Sequence, residues 1–226
     1  MKRAIQAIFL LAVALSVFSA CRRYASIHGN VGNLPDGMVY LMRYDGGAEI
    51  IDSAHVNGGR FTIRQPGPLP DIYFFRFGEG IYVPVAVEGS ELYVTGDFDL
   101  IYTIRVTGSP GNEALEALLS TMRPYEIMLR TLRLELQEMP PAGPDSLTYR
   151  NLALKQDSIR QLIRGVRSDF IKHYPDNLVS AFLVASILAD STAARSDINA
   201  LADELDPKMM PSMPLERIRK WQEMQP

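Results

Sequence analysis

The sequence predicts an α+β protein, an N-terminal antiparallel β-sandwich or barrel followed by an all-α helical segment with a long helical hairpin. From residue 24 to about 108, apolar and polar residues alternate over short runs rich in Val, Ile, Tyr and Phe, the period of half-buried strands. Past residue 108 the apolar residues recur every three to four positions, the period of one helical face. An apolar stretch behind Lys2 and Arg3 belongs to neither pattern. These divisions give three expected segments: a signal peptide over 1–20, a β domain over 21–108 and a helical segment over 109–226.

The first segment runs through Ala4, Ile5, Phe9, Leu10, Leu11, Val13, Leu15, Val17 and Phe18, interrupted only by Gln6 and Ser16. A basic head, a short apolar run and a small-residue exit describe a secretory signal. The run is short for a bilayer span, which needs about 20 residues. Its exit, Phe18-Ser19-Ala20-Cys21, resembles the lipobox of bacterial lipoproteins, with Phe18 where leucine is usual. Cys21 is the only cysteine in 226 residues and is the expected lipid attachment site. A free exported thiol is a reactive liability; an acylated one is an anchor, stable when two or more chains are buried. Removing residues 1–20 takes away Lys2 and Arg3 and moves the formal charge from −3 to −5. Arg22 and Arg23 directly after the anchor do not resemble an inner-membrane retention signal, which favours the outer membrane, facing the periplasm.

Eight strands follow. "NLPDG" (33–37) is a turn, with Pro35 fixing one backbone angle and Gly37 free to adopt a positive one. "MVYLMRY", "AEIIDSAHV" and "RFTIR" come next, the last two divided by the hairpin signal Asn57-Gly58-Gly59. "DIYFFRF", "IYVPVAV", "ELYVTG" and "LIYTIRVTG" bring the runs after that turn to seven, and the stretch from residue 24 before it makes the eighth. Pro84 lies inside a strand and assigns that strand to an edge or a bulge. In "IYFFRF", Ile72, Phe74 and Arg76 point one way and Tyr73, Phe75 and Phe77 the other. Two apolar faces predict a central strand between a sandwich core and a helical layer; the rival reading is an exposed aromatic patch that docks a partner.

"GSPGNEALEALLSTM" opens the first helix with Ser109 or Asn112 as its cap. Leu115, Leu118, Leu119, Met122, Leu132, Leu136 and Met139 form its stripe, and Pro124 predicts a kink or break. "PPAGP" (140–144) turns the chain into a second helix from about Asp145 to His173, carrying Leu152, Ile159, Leu162, Ile163, Val166 and Phe170. "HYPDN" ends that helix, "LVSAFLVASILA" reads as a deeply buried helix, and two short helices over about 193–205 and 212–224 finish the chain.

An exported lipoprotein with a β-rich front, a helical middle and "GSPGNEAL" between them resembles the N-terminal part of thioredoxin-like thiol-disulfide oxidoreductase lipoproteins. The residues that carry this are "IHGNVGNLPDGMVYLMRY", "IIDSAHVNGGRFTI", "GSPGNEAL" and "FIKHYPDNLVSAFLV". The resemblance implies a β domain of unknown function, a helical segment and then a thioredoxin-like domain, expected to begin about where this sequence stops. That family's chemistry needs a Cys-x-x-Cys pair with a lowered thiol pKa, and Cys21 has no second cysteine to work with. No catalytic residue carries over.

Other residues point to no chemistry of their own. His28, His55 and His173 fall in three different elements, so neither a catalytic triad nor a zinc site is expected. His55 reads as a half-exposed strand residue and His173 as a helix end bonding its last carbonyls. Asp97 and Asp99 in "GDFDLI" read as a solvated turn rather than part of a calcium site. The glycine-rich "NGG" and "GEG" lack the lysine and the strand-to-helix setting of a phosphate loop. Of the methionines, only Met209, Met210 and Met213 are close enough in sequence for a thioether site. The mildly acidic balance, with cations scattered along the chain, argues against nucleic acid.

The sequence thus predicts a non-catalytic, lipid-anchored envelope protein with no cofactor and no metal. Its expected partners are the membrane, through lipidated Cys21, and a protein of unknown identity, with a separate thioredoxin-like oxidoreductase as the candidate. The alternatives are a small-ligand-binding or enzymatic protein with a pocket between sandwich and helices, and a relic of a longer oxidoreductase.

Overall fold

The computed structural model describes residues 26–64, 70–138, 147–188 and 193–224. The signal segment, Cys21, Met139, the "PPAGP" turn and Asp145 lie outside them. The eight strands are β1 (Ser26–Gly32), β2 (Gly37–Tyr44), β3 (Ala48–Val56), β4 (Arg60–Arg64), β5 (Asp71–Phe77), β6 (Ile81–Val87), β7 (Leu92–Asp97) and β8 (Leu100–Thr107). The helices are α1 (Pro110–Glu138), α2 (Leu147–His173), α3 (Leu178–Ile187), α4 (Arg195–Asp203) and α5 (Met213–Glu223).

The strands form two four-stranded sheets, ordered β4-β1-β7-β8 and β3-β2-β5-β6. The pairings are antiparallel except that of β1 with β7, which is parallel with Ile27 opposite Leu92. The first sheet is therefore mixed, where alternation had predicted only antiparallel neighbours. Alternation reports which face a side chain takes and says nothing about which distant strand lies alongside. At the β3–β4 connection, Gly58 and Gly59 take φ of 55° and 76°, as a tight hairpin turn requires. A side chain on Gly59 would stand 2.2 Å from the Val31 carbonyl oxygen.

Between the sheets lies one apolar core, with Ile27, Val31, Phe61, Ile63, Leu92 and Val94 from one side and Val39, Leu41, Tyr73, Phe75, Phe77 and Val85 from the other. The rings of Phe61, Phe75 and Phe77 meet at 5.7–6.0 Å. A second core joins Ile72, Phe74 and Ala86 on the far face of the second sheet to residues of all five helices. The molecule is thus three-layered, and β5 is the central strand predicted from its two apolar faces. Arg76 shares the helical side with Ile72 and Phe74 but stacks over the Tyr40 ring, 4.3 Å from its centroid. β6, with Pro84, is an edge strand.

Helix α1 runs unbroken through Pro124. Proline removes one donor from the helical ladder, while Met122 is buried and Tyr125, Leu129 and Leu132 pack partly against the core, holding the register on both sides. The α3 segment is buried as predicted, with Val179, Ala181 and Val184 fully inaccessible. Asn177 caps it by accepting from the Val179 N–H at 2.9 Å.

Candidate functional site

Three places concentrate polar groups in the described residues: the joint between sheet and helices, a buried ion pair, and a depression beside them.

At the joint, β8 ends and Gly108 turns the chain with φ of 111°. A side chain there would strike the Glu91 carbonyl oxygen at 2.2 Å, so the position demands glycine on two counts. Ser109 precedes the helix and accepts at its Oγ from the Asn112 N–H (3.3 Å), making it the cap. Asn112 has a different task. Its Oδ1 accepts from the Ala86 N–H at 2.9 Å, and its Nδ2 donates to the Ala86 carbonyl at 2.7 Å and to Ser109 Oγ at 2.8 Å. The amide thereby satisfies the outward backbone groups of an edge strand, in the manner of an additional strand residue. Glu88 Oε2 accepts from the Gly111 N–H at 2.8 Å, a carboxylate at the positive end of α1. "GSPGN" is therefore a mechanical coupling, and its asparagine is buried with both amide hydrogens donated within the protein.

Asp71 opens β5 with no exposed surface. Its Oδ1 accepts from the Ile72 N–H (2.8 Å) and its Oδ2 from Arg217 of α5 (2.8 Å). Arg217 also reaches Asp45 at 3.5 Å, and Arg43 pairs with Glu49 at 2.7 Å nearby. Burial pushes the Asp71 carboxyl above the ordinary range, against the pull of Arg217. Tyr73 is raised as well, by burial and by the Asp71 charge. Raised carboxyls mark candidate acids in clefts, but Asp71 has no exposed surface and its charge is met by an arginine. Together with the Met213 N–H bond to the Pro70 carbonyl (2.9 Å), the pair fastens α5 to the start of β5.

The depression lies between sandwich and helices, lined by Pro70, Glu88, Asp176, Leu178, Met209, Met210 and Ser212. It measures about 40 Å³, whereas small-molecule pockets occupy about 300–1,000 Å³. It is on the scale of roughly one water molecule. Of the methionine trio, Met209 and Met210 reach it.

The remaining sequence candidates stay apart. His28 is in β1, His55 in β3 and His173 at the end of α2, where its Nδ1 lies 3.1 Å from the Asp169 carbonyl oxygen. Asp97 accepts from Asn33 Nδ2 and from the Asp99 N–H at 2.9 Å, closing a turn. No group of three or more metal-ligating side chains occurs among the described residues. No described helix is long and apolar enough to cross a membrane. Of the two expected caps, Ser109 takes the role and Asn112 does not, while nothing in the sequence pointed to Asp71 and Arg217. A buried aspartate at a strand start and an arginine 146 positions away leave no mark on local periodicity.

The outer half of the α1–α2 hairpin is distinguished by exposed apolar side chains. Ile127, Met128 and Leu134 on α1 are 50–59% exposed, and Leu147, Leu154 and Leu162 on α2 are 52–75% exposed. From Arg123 to Glu138 no residue of α1 is fully buried.

No curated protein and no solved structure matches this chain. The matched region that does emerge spans all eight strands and the "GSPGNEAL" joint: residues 25–115 belong to DUF4369, a domain of unknown function.

Proposed function

We propose that this protein is a lipid-anchored, non-catalytic binding module of a bacterial cell envelope. Cys21 is its attachment point, the periplasmic side of the outer membrane is its place, and the outer hairpin is the surface that takes a protein partner. The observation that carries the reading is Cys21 itself, the single cysteine of the sequence, standing directly after Phe18-Ser19-Ala20. One cysteine makes no Cys-x-x-Cys pair, so the dithiol chemistry of the lipoproteins the sequence resembles has no counterpart in it. Six large apolar side chains exposed on two neighbouring helices support the partner surface, since solvent-facing apolar clusters of that kind mark contact sites. A separate thioredoxin-like oxidoreductase is the partner that the β-then-helical order suggests.

The test is fractionation of the wild type beside Cys21→Ser, with mass analysis of the N-terminus. The expected result is a wild type in the membrane fraction that begins at a multiply acylated Cys21, and a variant released from it. A native protein with an unmodified Cys21, or one beginning elsewhere, overturns the anchor.

A further inference from the structure

We propose that the outer face of the first sheet binds an anionic polysaccharide. Its inner face is sealed in the sandwich core, and among the described residues its outer face is met by a helix only along β8, where Glu116 of α1 pairs with Arg105 at 2.9 Å. The strand register arranges the outward side chains in rows. Thr62, His28 and Tyr93 stand opposite one another across β4, β1 and β7, and Arg60, Asn30 and Thr95 form the next row. Neighbouring strands are about 4.8 Å apart, so each row is a closely spaced rank of hydrogen-bonding groups.

One ring platform lies in the middle. Tyr93, 47% exposed, stacks on His28 with centroids 5.8 Å apart and planes 27° from parallel. Such a surface suits the C–H face of a pyranose ring, which pairs apolar contact with polar groups at the rim. Charge decides the kind of sugar. Arg60 and Arg64 point outward from β4, roughly 13 Å apart along the strand, both exposed and neither in an ion pair among the described residues. Guanidinium groups take carboxylate or phosphate oxygens two at a time.

Two acids on this side are already hydrogen-bonded within the protein. Glu91 accepts from the Tyr93 hydroxyl at 3.2 Å, and Asp97 is held by Asn33 and the Asp99 N–H. Arg105 is not available either, as it turns to the Tyr102 and Ile104 carbonyls and to Glu116. The two rows hold no lysine cluster for an anionic membrane.

Full-length protein in a non-ionic detergent, titrated with polygalacturonate, tests this. Binding is expected that weakens as salt is raised, with pullulan, a neutral glucan, left unbound. Tyr93→Ala should weaken binding about fivefold or more, while Tyr93→Phe, which keeps the ring, stays near wild type. Arg60→Ala with Arg64→Ala should weaken it about threefold to tenfold at low salt and flatten the salt dependence. Far-UV circular dichroism checks that each variant is folded. The proposal is overturned by no binding of polygalacturonate, by equal binding of pullulan, by variants without effect, or by binding to phosphatidylglycerol vesicles alone. It stands apart from the anchor and the hairpin, since Cys21→Ser leaves this face untouched.

Discussion

Asp71 keeps a carboxylate where no solvent reaches because Arg217 arrives from α5 to meet it. Its pKa is raised in the folded protein, so folding takes up a proton more readily than the unfolded chain does. The stability from that group is fully present below the unfolded carboxylate pKa and is lost as pH rises through the raised folded value. Arg217 opposes the loss, and removing it lifts the folded pKa further. Arg217→Met should therefore cost little at acid pH, where Asp71 is protonated in both states. At neutral pH, where a charge is left buried and unpaired, it should cost about 3–5 kcal/mol. Urea unfolding of wild type and variant at a series of pH values measures this, and a difference independent of pH would show that the pair is not what holds α5.

At the scale of elements, the strands were legible because each carries its own evidence. Alternation in "RFTIR" puts Phe61 and Ile63 inside, and Asn57-Gly58-Gly59 fixes the hairpin. The two apolar faces of β5 announced two covering layers. The parallel β1–β7 pairing was not legible, since it joins residues 65 positions apart and no local signal distinguishes it from an antiparallel neighbour. Pro124 was overread for the opposite reason. It is a strong local breaker, but packing on both sides of it overrides that preference. The override should be measurable. Pro124→Ala restores the donor that the helix lacks, and an interior proline costs about 3 kcal/mol relative to alanine. Part of that is already relieved at a tolerated site, so the variant should gain about 1–3 kcal/mol in thermal or urea unfolding. A loss of stability would mean that the path of α1 across the second sheet depends on the proline.

Across the whole molecule, the second sheet belongs to two cores at once, and Asn112 ties the first turn of α1 to its edge. A helical layer that shares Ile72, Phe74 and Ala86 with a sheet cannot leave without exposing that sheet's apolar face. Sheets and helices should therefore unfold as one unit. The DUF4369 match is consistent with this coupling, since it extends past the last strand to residue 115 and so includes Asn112. Asn112→Ala leaves the Ala86 N–H and carbonyl without partners in a buried setting, at a cost of about 2–4 kcal/mol. Because the joint serves both layers, that cost should shift two distant probes together. Trp221, the only tryptophan, reports on α5 by fluorescence, and amide exchange at β1 and β7 reports on the far sheet. Coincident transitions in wild type and variant, displaced by the same amount, are the expected result. Protected β1 amides at a denaturant concentration where the Trp221 signal is already lost would show two independent units and remove the joint as the element that makes the layers one.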